Sequence, residues 1–170
     1  YLVLYNLVES TSRLYLGLIH TSLVNERVAL EETTNLIRKV VLDGFRKRNP
    51  SERFISDLTD IRTQIMSECY DDQKIFSGNV DAKFIRELSA KYGFRVPKTC
   101  YGLLEVKTRR NNLAHGKVSF VECSRNEAEE TIIIFKDHII KYLTSVSSSI
   151  EKFIREKEYK LAKKESHKTC

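Results

Sequence analysis

Apolar residues recur at intervals of three and four along most of this chain, the spacing that places them on one face of an α-helix. Leu2, Leu4, Tyr5, Val8, Ser12, Tyr15, Leu16 and Ile19 keep that interval and predict an amphipathic helix over residues 1–24. A second helix is predicted from Glu26 to about Phe45, with Leu30, Leu36, Ile37, Val40 and Val41 inward. Arg48-Asn49-Pro50-Ser51 breaks it, because a proline disfavours helical backbone at the residue before it. Ser51 then caps a run from Glu52 to about Tyr70. Ser77-Gly78-Asn79 reads as a turn, Asp81 as the N-cap of a helix through Tyr92, and Gly93 as its end. Val96-Pro97 separates this helix from one running from about Thr99 to His115. Ser124-Arg125-Asn126-Glu127 has the form of a capping box and predicts the start of the last helix. Its apolar stripe is Ile132, Phe135, Ile139, Leu143, Val146, Ile150 and Phe153. From Arg155 onward the stripe fades and basic residues take over. The expectation is a single all-α domain of five or six helices over residues 1–154, with 155–170 as a basic tail, helix end or disordered segment.

Composition supports helices and adds a charge. Six Gly and two Pro in 170 residues, against 31% charged residues, favour long uninterrupted elements. The net charge of +6 favours a polyanionic partner. Two stretches concentrate it. Residues 36–53 and residues 98–117 each carry a net of +4, enough to follow a phosphate backbone, although such runs are also ordinary solvated faces. The four cysteines, Cys69, Cys100, Cys123 and Cys170, form no Cys-x-x-Cys pair. No metal site, cofactor or disulfide framework is expected, and a reduced, cytoplasmic setting is. The apolar start, Tyr1 to Val8, is interrupted by Asn6 and Glu9. It is too short to span a membrane and lacks a basic leader.

The chemistry concentrates in Arg109-Arg110-Asn111-Asn112-Leu113-Ala114-His115-Gly116-Lys117-Val118. Two guanidiniums, two amides and an imidazole can hold a phosphodiester and move a proton. Spacing alone is weak evidence, since Arg13 and His20 stand at a similar interval. On a helix, Asn111 and His115 are i and i+4, so the amide can orient the imidazole. Arg110 and His115 are five apart, about 140° around the axis. A joint site then requires the arginine to curl round, the helix to end at His115, or a second copy of the segment from a partner subunit. The structural alternative is equally simple: Ala-His-Gly is a good helix ending, with a glycine suited to left-handed backbone after the histidine.

Arg110-Asn111-Asn112-Leu113-Ala114-His115-Gly116 resembles the Arg-x4–6-His signature of the HEPN superfamily, in the form with a polar residue after the Arg. Tyr5-Asn6-Leu7-Val8-Glu9-Ser10-Thr11 is similar to the first helix of a prokaryotic branch associated with toxin–antitoxin and phage-defence loci. Ser77-Gly78-Asn79-Val80-Asp81-Ala82-Lys83, Ile85-Arg86-Glu87-Leu88 and Lys91-Tyr92-Gly93-Phe94 are similar to its middle segment. The resemblance implies a helical bundle that pairs as a homodimer with two signatures facing each other. It also implies an endoribonuclease that needs no metal and leaves a 2′,3′-cyclic phosphate on tRNA or mRNA, with a neutralising antitoxin or regulatory protein as a further partner and no membrane. Arg110 and His115 match the catalytic pair and Asn111 the polar position. Arg109 reads as a phosphate contact, with Lys107, Lys117 and Asn112 also assigned to the substrate. The competing expectation is a non-catalytic HEPN-type module that binds RNA, a nucleotide or a protein.

Other positions are weighed against plainer roles. Asn6, Glu9 and Arg13 form a polar stripe that either lines the cleft or is a surface ion pair. His20, His138 and His167 stand alone and read as structural. Tyr92, Phe94 and Tyr101 either stack on bases or belong to the core.

Overall fold

A computed structural model of the chain describes residues 1–47, 60–76, 79–125 and 128–162. Among these residues the fold is all-α, with eight α-helices, five of them long, and no strand. The order is α1 (Leu2–Asn25), α2 (Asn35–Arg46), α3 (Ile61–Glu68), α4 (Asp72–Ile75), α5 (Ala82–Tyr92), α6 (Leu103–Ala114), α7 (Phe120–Arg125) and α8 (Glu129–Arg155). Each long helix forms where the apolar spacing predicts one. The predicted cap at Ser51 and the run from residue 52 to 59 lie outside the described residues, as do Ser77 and Gly78 of the turn.

Helix α1 is central. Tyr5, Val8, Ser12, Leu16, Ile19, His20 and Leu23 form its buried face, and it packs against α8, α3 and α6. Facing it from α8 are Phe135, Ile139, Tyr142, Leu143, Val146, Ile150 and Phe153, so the two longest helices make one continuous core. Helix α2 packs its Ile37 and Val41 toward α3 and α5.

Helix α2 begins nine residues later than its apolar residues alone predict, because local hydrogen bonds intervene. The Thr33 hydroxyl donates to the carbonyl of Leu30, closing a single 3₁₀ turn, Leu30–Glu32. Thr34 then caps α2 by accepting from the Ile37 N–H. The Arg38 guanidinium donates to the carbonyls of Leu30, Glu31 and Thr33. Polar groups freed between the two helices are thus satisfied partly within the connection and partly by the chain after Arg155. There the Tyr159 carbonyl accepts from the Thr34 N–H, and the Leu161 N–H donates to the Glu32 carbonyl.

The last helix also starts later than expected. Its N-cap is Ala128, and the backbone of Ser124 lies inside α7. Asn126 and Glu127 of the predicted capping box lie outside the described residues. The same pattern five residues earlier does form. Ser119 Oγ accepts from the Glu122 N–H at 3.2 Å, and the Glu122 carboxylate accepts from the Ser119 N–H at 2.8 Å. This Ser119–Glu122 box opens α7.

After Arg155 the chain folds back onto the body. Tyr159 is fully buried, Thr34 N–H donates to its carbonyl, and Lys160 pairs with Thr33 in an isolated bridge. Lys157 and Lys160 both meet the Glu26 carboxylate. The described part of the basic segment is therefore a strap over the α1–α2 connection, anchored by one aromatic; residues 163–170 are outside the described set.

Candidate active site on the sixth helix

Helix α6 is held by Leu103 and Val106, both fully buried. It starts at Gly102, whose φ of 80° suits glycine. A Cβ there would overlap the Phe135 ring of α8, so the helix start is pressed against α8 by the absence of a side chain. It stops just as sharply. Gly116 takes a left-handed φ of 64°, its N–H donates to the Leu113 carbonyl, and the Lys117 N–H donates to that of Asn112 at 2.9 Å. That pair of bonds is a Schellman ending. The helix-ending reading of Ala-His-Gly is therefore realised. The helix also ends at His115, the condition set by one of the three routes to a joint site.

Arg110 points inward, toward α1. Its guanidinium carbon lies 4.3 Å from the centroid of the Tyr5 ring, and its Nη1 donates to Asn111 Oδ1 at 2.9 Å. Asn111 Nδ2 in turn donates to Asn79 Oδ1 at 3.2 Å. A free arginine side chain carries about 2 kcal/mol of rotamer entropy. A cation–π contact of roughly 0.5–2 kcal/mol and a charge-assisted hydrogen bond offset the cost of holding it in one place. Tyr5 is itself fixed. It is fully buried, its hydroxyl accepts from the Val80 N–H at 3.0 Å, and burial raises its phenol above the ordinary range.

His115 is exposed at the end of α6. No hydrogen bond joins its ring to Asn111 or to any other described residue, so the amide that spacing assigned to the imidazole holds the arginine instead. The two members of the signature thus have opposite settings on one helix, a braced guanidinium and an open imidazole.

The remaining predicted contacts separate. Lys107 is half-buried and paired with Asp81 Oδ2. Burial alone would raise the Asp81 carboxyl, but the ammonium of Lys107 and the N–H groups at the start of α5 outweigh it and hold the carboxyl below its usual range. Arg109 Nε donates to Glu105 Oε1 at 2.7 Å, one helical turn back. Asn112 is half-buried, and Lys117 is exposed past the helix end. Lys107, Arg110 and Asn111 come together along one seam with residues 79–81, whereas His115 and Lys117 stand apart at the open end.

Arg13 and Glu9 form the i, i+4 ion pair that their spacing allows, half-buried rather than on the open surface. Arg13 donates to Glu9 at 2.8 Å, to the carboxylate of Asp72, and to the carbonyls of Asp72 and Phe76. It also lies over the Phe76 ring, tying α1 to α4. Tyr92 and Phe94 are core, while Tyr101 is 63% exposed before α6. His20 is buried, hydrogen-bonded through Nε2 to the Tyr92 hydroxyl at 2.7 Å and stacked on Tyr70. Burial lowers its pKa to about 4. His138 is exposed and bonds the Ile134 carbonyl of its own helix. His167 lies outside the described residues.

Sequence reasoning missed Tyr5 and Asn79 as parts of this site, and it read Asp81 only as a cap. Nothing in their local pattern ties them to α6. The one available signal was that the segments around them resemble the same family as the signature does.

Among the described residues no three His, Cys, Asp or Glu side chains gather as metal ligands. No helix there is long and apolar enough to cross a membrane. Searches among curated proteins and among solved structures found no match. A HEPN family model, from a group of domains many of which are ribonucleases, matches residues 1–159, which takes in every element from α1 to α8 and the α6 signature. The chain belongs to the HEPN family.

Proposed function

We propose that this domain is an endoribonuclease that cleaves RNA by attack of a ribose 2′-OH on the adjacent phosphodiester. The observation that carries the reading is the contrast on α6, where Arg110 is braced against Tyr5 and His115 is left open to solvent five residues on. Transition-state stabilisation is strongest when donors are fixed before charge develops, and a proton carrier must be reachable. The imidazole takes the 2′-OH proton or delivers one to the departing 5′-oxygen. Arg110 stabilises the phosphorane through paired N–H donors. The products are a 2′,3′-cyclic phosphate and a 5′-OH, and neither a protein nucleophile nor a metal enters this scheme.

The homodimer belongs to the same proposal. Arg110 faces α1 and His115 faces outward, so one chain offers the two groups in different directions. A two-fold axis past the end of α6 sets one copy's imidazole against the other's arginine. Arg109, Asn112 and Lys117 are assigned to the substrate. Lys107, engaged by Asp81, serves the seam rather than the phosphate. The likeness of several segments to the defence-associated branch supports a toxin or antiviral effector acting on tRNA or mRNA in the cytoplasm, restrained by an antitoxin or regulatory protein.

The test is incubation of the purified protein with RNA in EDTA, with end-group analysis of the fragments. Wild type is expected to leave cyclic phosphate ends and His115→Ala to leave RNA intact; identical intact RNA from both would sink catalysis. Expression in cells with and without His115→Ala tests toxicity. The alternative, a binding module without catalysis, takes its support from the arginine's existing contacts. It predicts binding that weakens with salt and no cleavage.

A further inference from the structure

We infer that the three consecutive residues Asn79-Val80-Asp81 are a positioning brace for Arg110, acting through Asn111, Tyr5 and Lys107; the inference rests on the ribonuclease reading of this site. Each of the three residues holds a different part of the arginine's surroundings. Asn79 Oδ1 accepts from Asn111 Nδ2 at 3.2 Å, and Asn111 Oδ1 accepts from Arg110 Nη1 at 2.9 Å. The Val80 N–H donates to the Tyr5 hydroxyl at 3.0 Å, and the Tyr5 ring is the surface on which the guanidinium lies. Asp81 Oδ2 pairs with Lys107, three residues before Arg110 and therefore one turn below it on the same side of α6.

The brace is itself anchored at both ends. The Val80 side chain is fully buried in the core. Asp81 spends its second oxygen capping α5, accepting from the Phe84 N–H at 2.8 Å. One short segment thus joins α1, α5 and α6 and sets both the plane beneath the guanidinium and the amide beside it. The amide is fixed in direction as well. Because Asn111 Nδ2 is directed to the Asn79 oxygen, Asn111 presents Oδ1, its acceptor, to the arginine. With Asn79 removed the amide is free to flip and present a donor that a guanidinium cannot use. None of these groups needs to touch RNA. Asn79 and Tyr5 are positioning residues, and their effect is read in turnover more than in binding.

The experiment compares wild type, Asn79→Ala and Asn79→Asp, following RNA cleavage, thermal unfolding and the Arg110 Nε–Hε NMR signal assigned by its loss in Arg110→Lys. Asn79 is exposed, so its alanine variant is expected to keep the unfolding midpoint within about 2 °C. The expected result is a fall in kcat of about tenfold or more, with KM changed by less than about threefold. The Arg110 signal should shift and exchange faster with water. Asn79→Asp keeps an acceptor oxygen and should retain both the signal and turnover. On an Asn111→Ala background, Asn79→Ala should change nothing further, as expected of two links in one chain. Full activity in Asn79→Ala overturns the inference, and so does lost activity with an unchanged Arg110 signal. If wild type cleaves no RNA, the ribonuclease reading fails by itself. The signal then decides the brace alone, supporting it if Asn79→Ala moves it and overturning it if not.

Discussion

Arg13 and His20 on α1, and Arg110 and His115 on α6, offer the same two functional groups at similar intervals, yet the fold treats the two pairs in opposite ways. His20 is sealed in the core. Its Nδ1 meets the Cys69 sulfur at 3.7 Å and its Nε2 the Tyr92 hydroxyl at 2.7 Å. Every polar atom of that ring is used, and burial keeps it neutral. Arg13 likewise spends its donors on Glu9, Asp72 and Phe76. On α6 the arginine is steadied, but the histidine is left to solvent. An Arg-to-His interval becomes a candidate for chemistry only where the imidazole can meet something that is not protein.

The largest expected effect comes from exchanging the two histidines' fates by mutation. His115→Ala should lower RNA cleavage by about 10²–10⁴-fold, the usual worth of an acid–base group, with thermal unfolding unchanged. His20→Ala should do the reverse. Losing a buried ring and stranding the Tyr92 hydroxyl is expected to destabilise the domain by about 2–4 kcal/mol, read by urea unfolding, while folded molecules cleave at the wild-type rate. Equal activity losses in the two variants would erase the comparison.

Acid should separate the histidines next. The unfolded His20 titrates near 6.5, about the model-peptide value, and the folded one at about 4. Between those values the unfolded chain binds the extra proton, so stability is complete above that window and declines as pH falls through it. The total loss is about 3 kcal/mol. Urea midpoints measured from pH 7 to pH 4 should show this slope in wild type and lose it in His20→Gln. Asp81, whose carboxyl is held low, adds its own loss only at more acidic pH.

The smallest expected effect is at the rim. Lys117→Ala removes one exposed cation. It should reduce the dependence of RNA binding on salt by about 0.7 in the log–log slope, with kcat unchanged. A change in kcat would move Lys117 from the rim to the reacting centre.

The long helices were legible because their information is local. Asp81 as a cap, Gly93 as a stop and the stripe from Ile139 to Phe153 need only neighbours in sequence. Expectations failed at helix starts. Thr33 and Thr34 overrode the apolar residues before α2, and Ser124 fell inside α7 rather than capping the last helix. The strap after Arg155 was invisible because Tyr159 is one aromatic with no stripe around it. For the candidate site, the signature and the helix stop after His115 were readable. The role of Asn111 was not. Helix spacing put it beside His115, and only the approach of Asn79, 32 positions away in sequence, turned its amide toward Arg110.

The helix stop at Gly116 has a consequence for how this motif tolerates change. His115 is exposed at the last position before the backbone turns left-handed. Moving that stop one residue along would carry a histidine placed before it about 100° around the axis and about 1.5 Å further on, still at an open end. The glycine therefore works as a registration mark. If an insertion between arginine and histidine carries the stop along with the histidine, the imidazole stays at the open end of the helix.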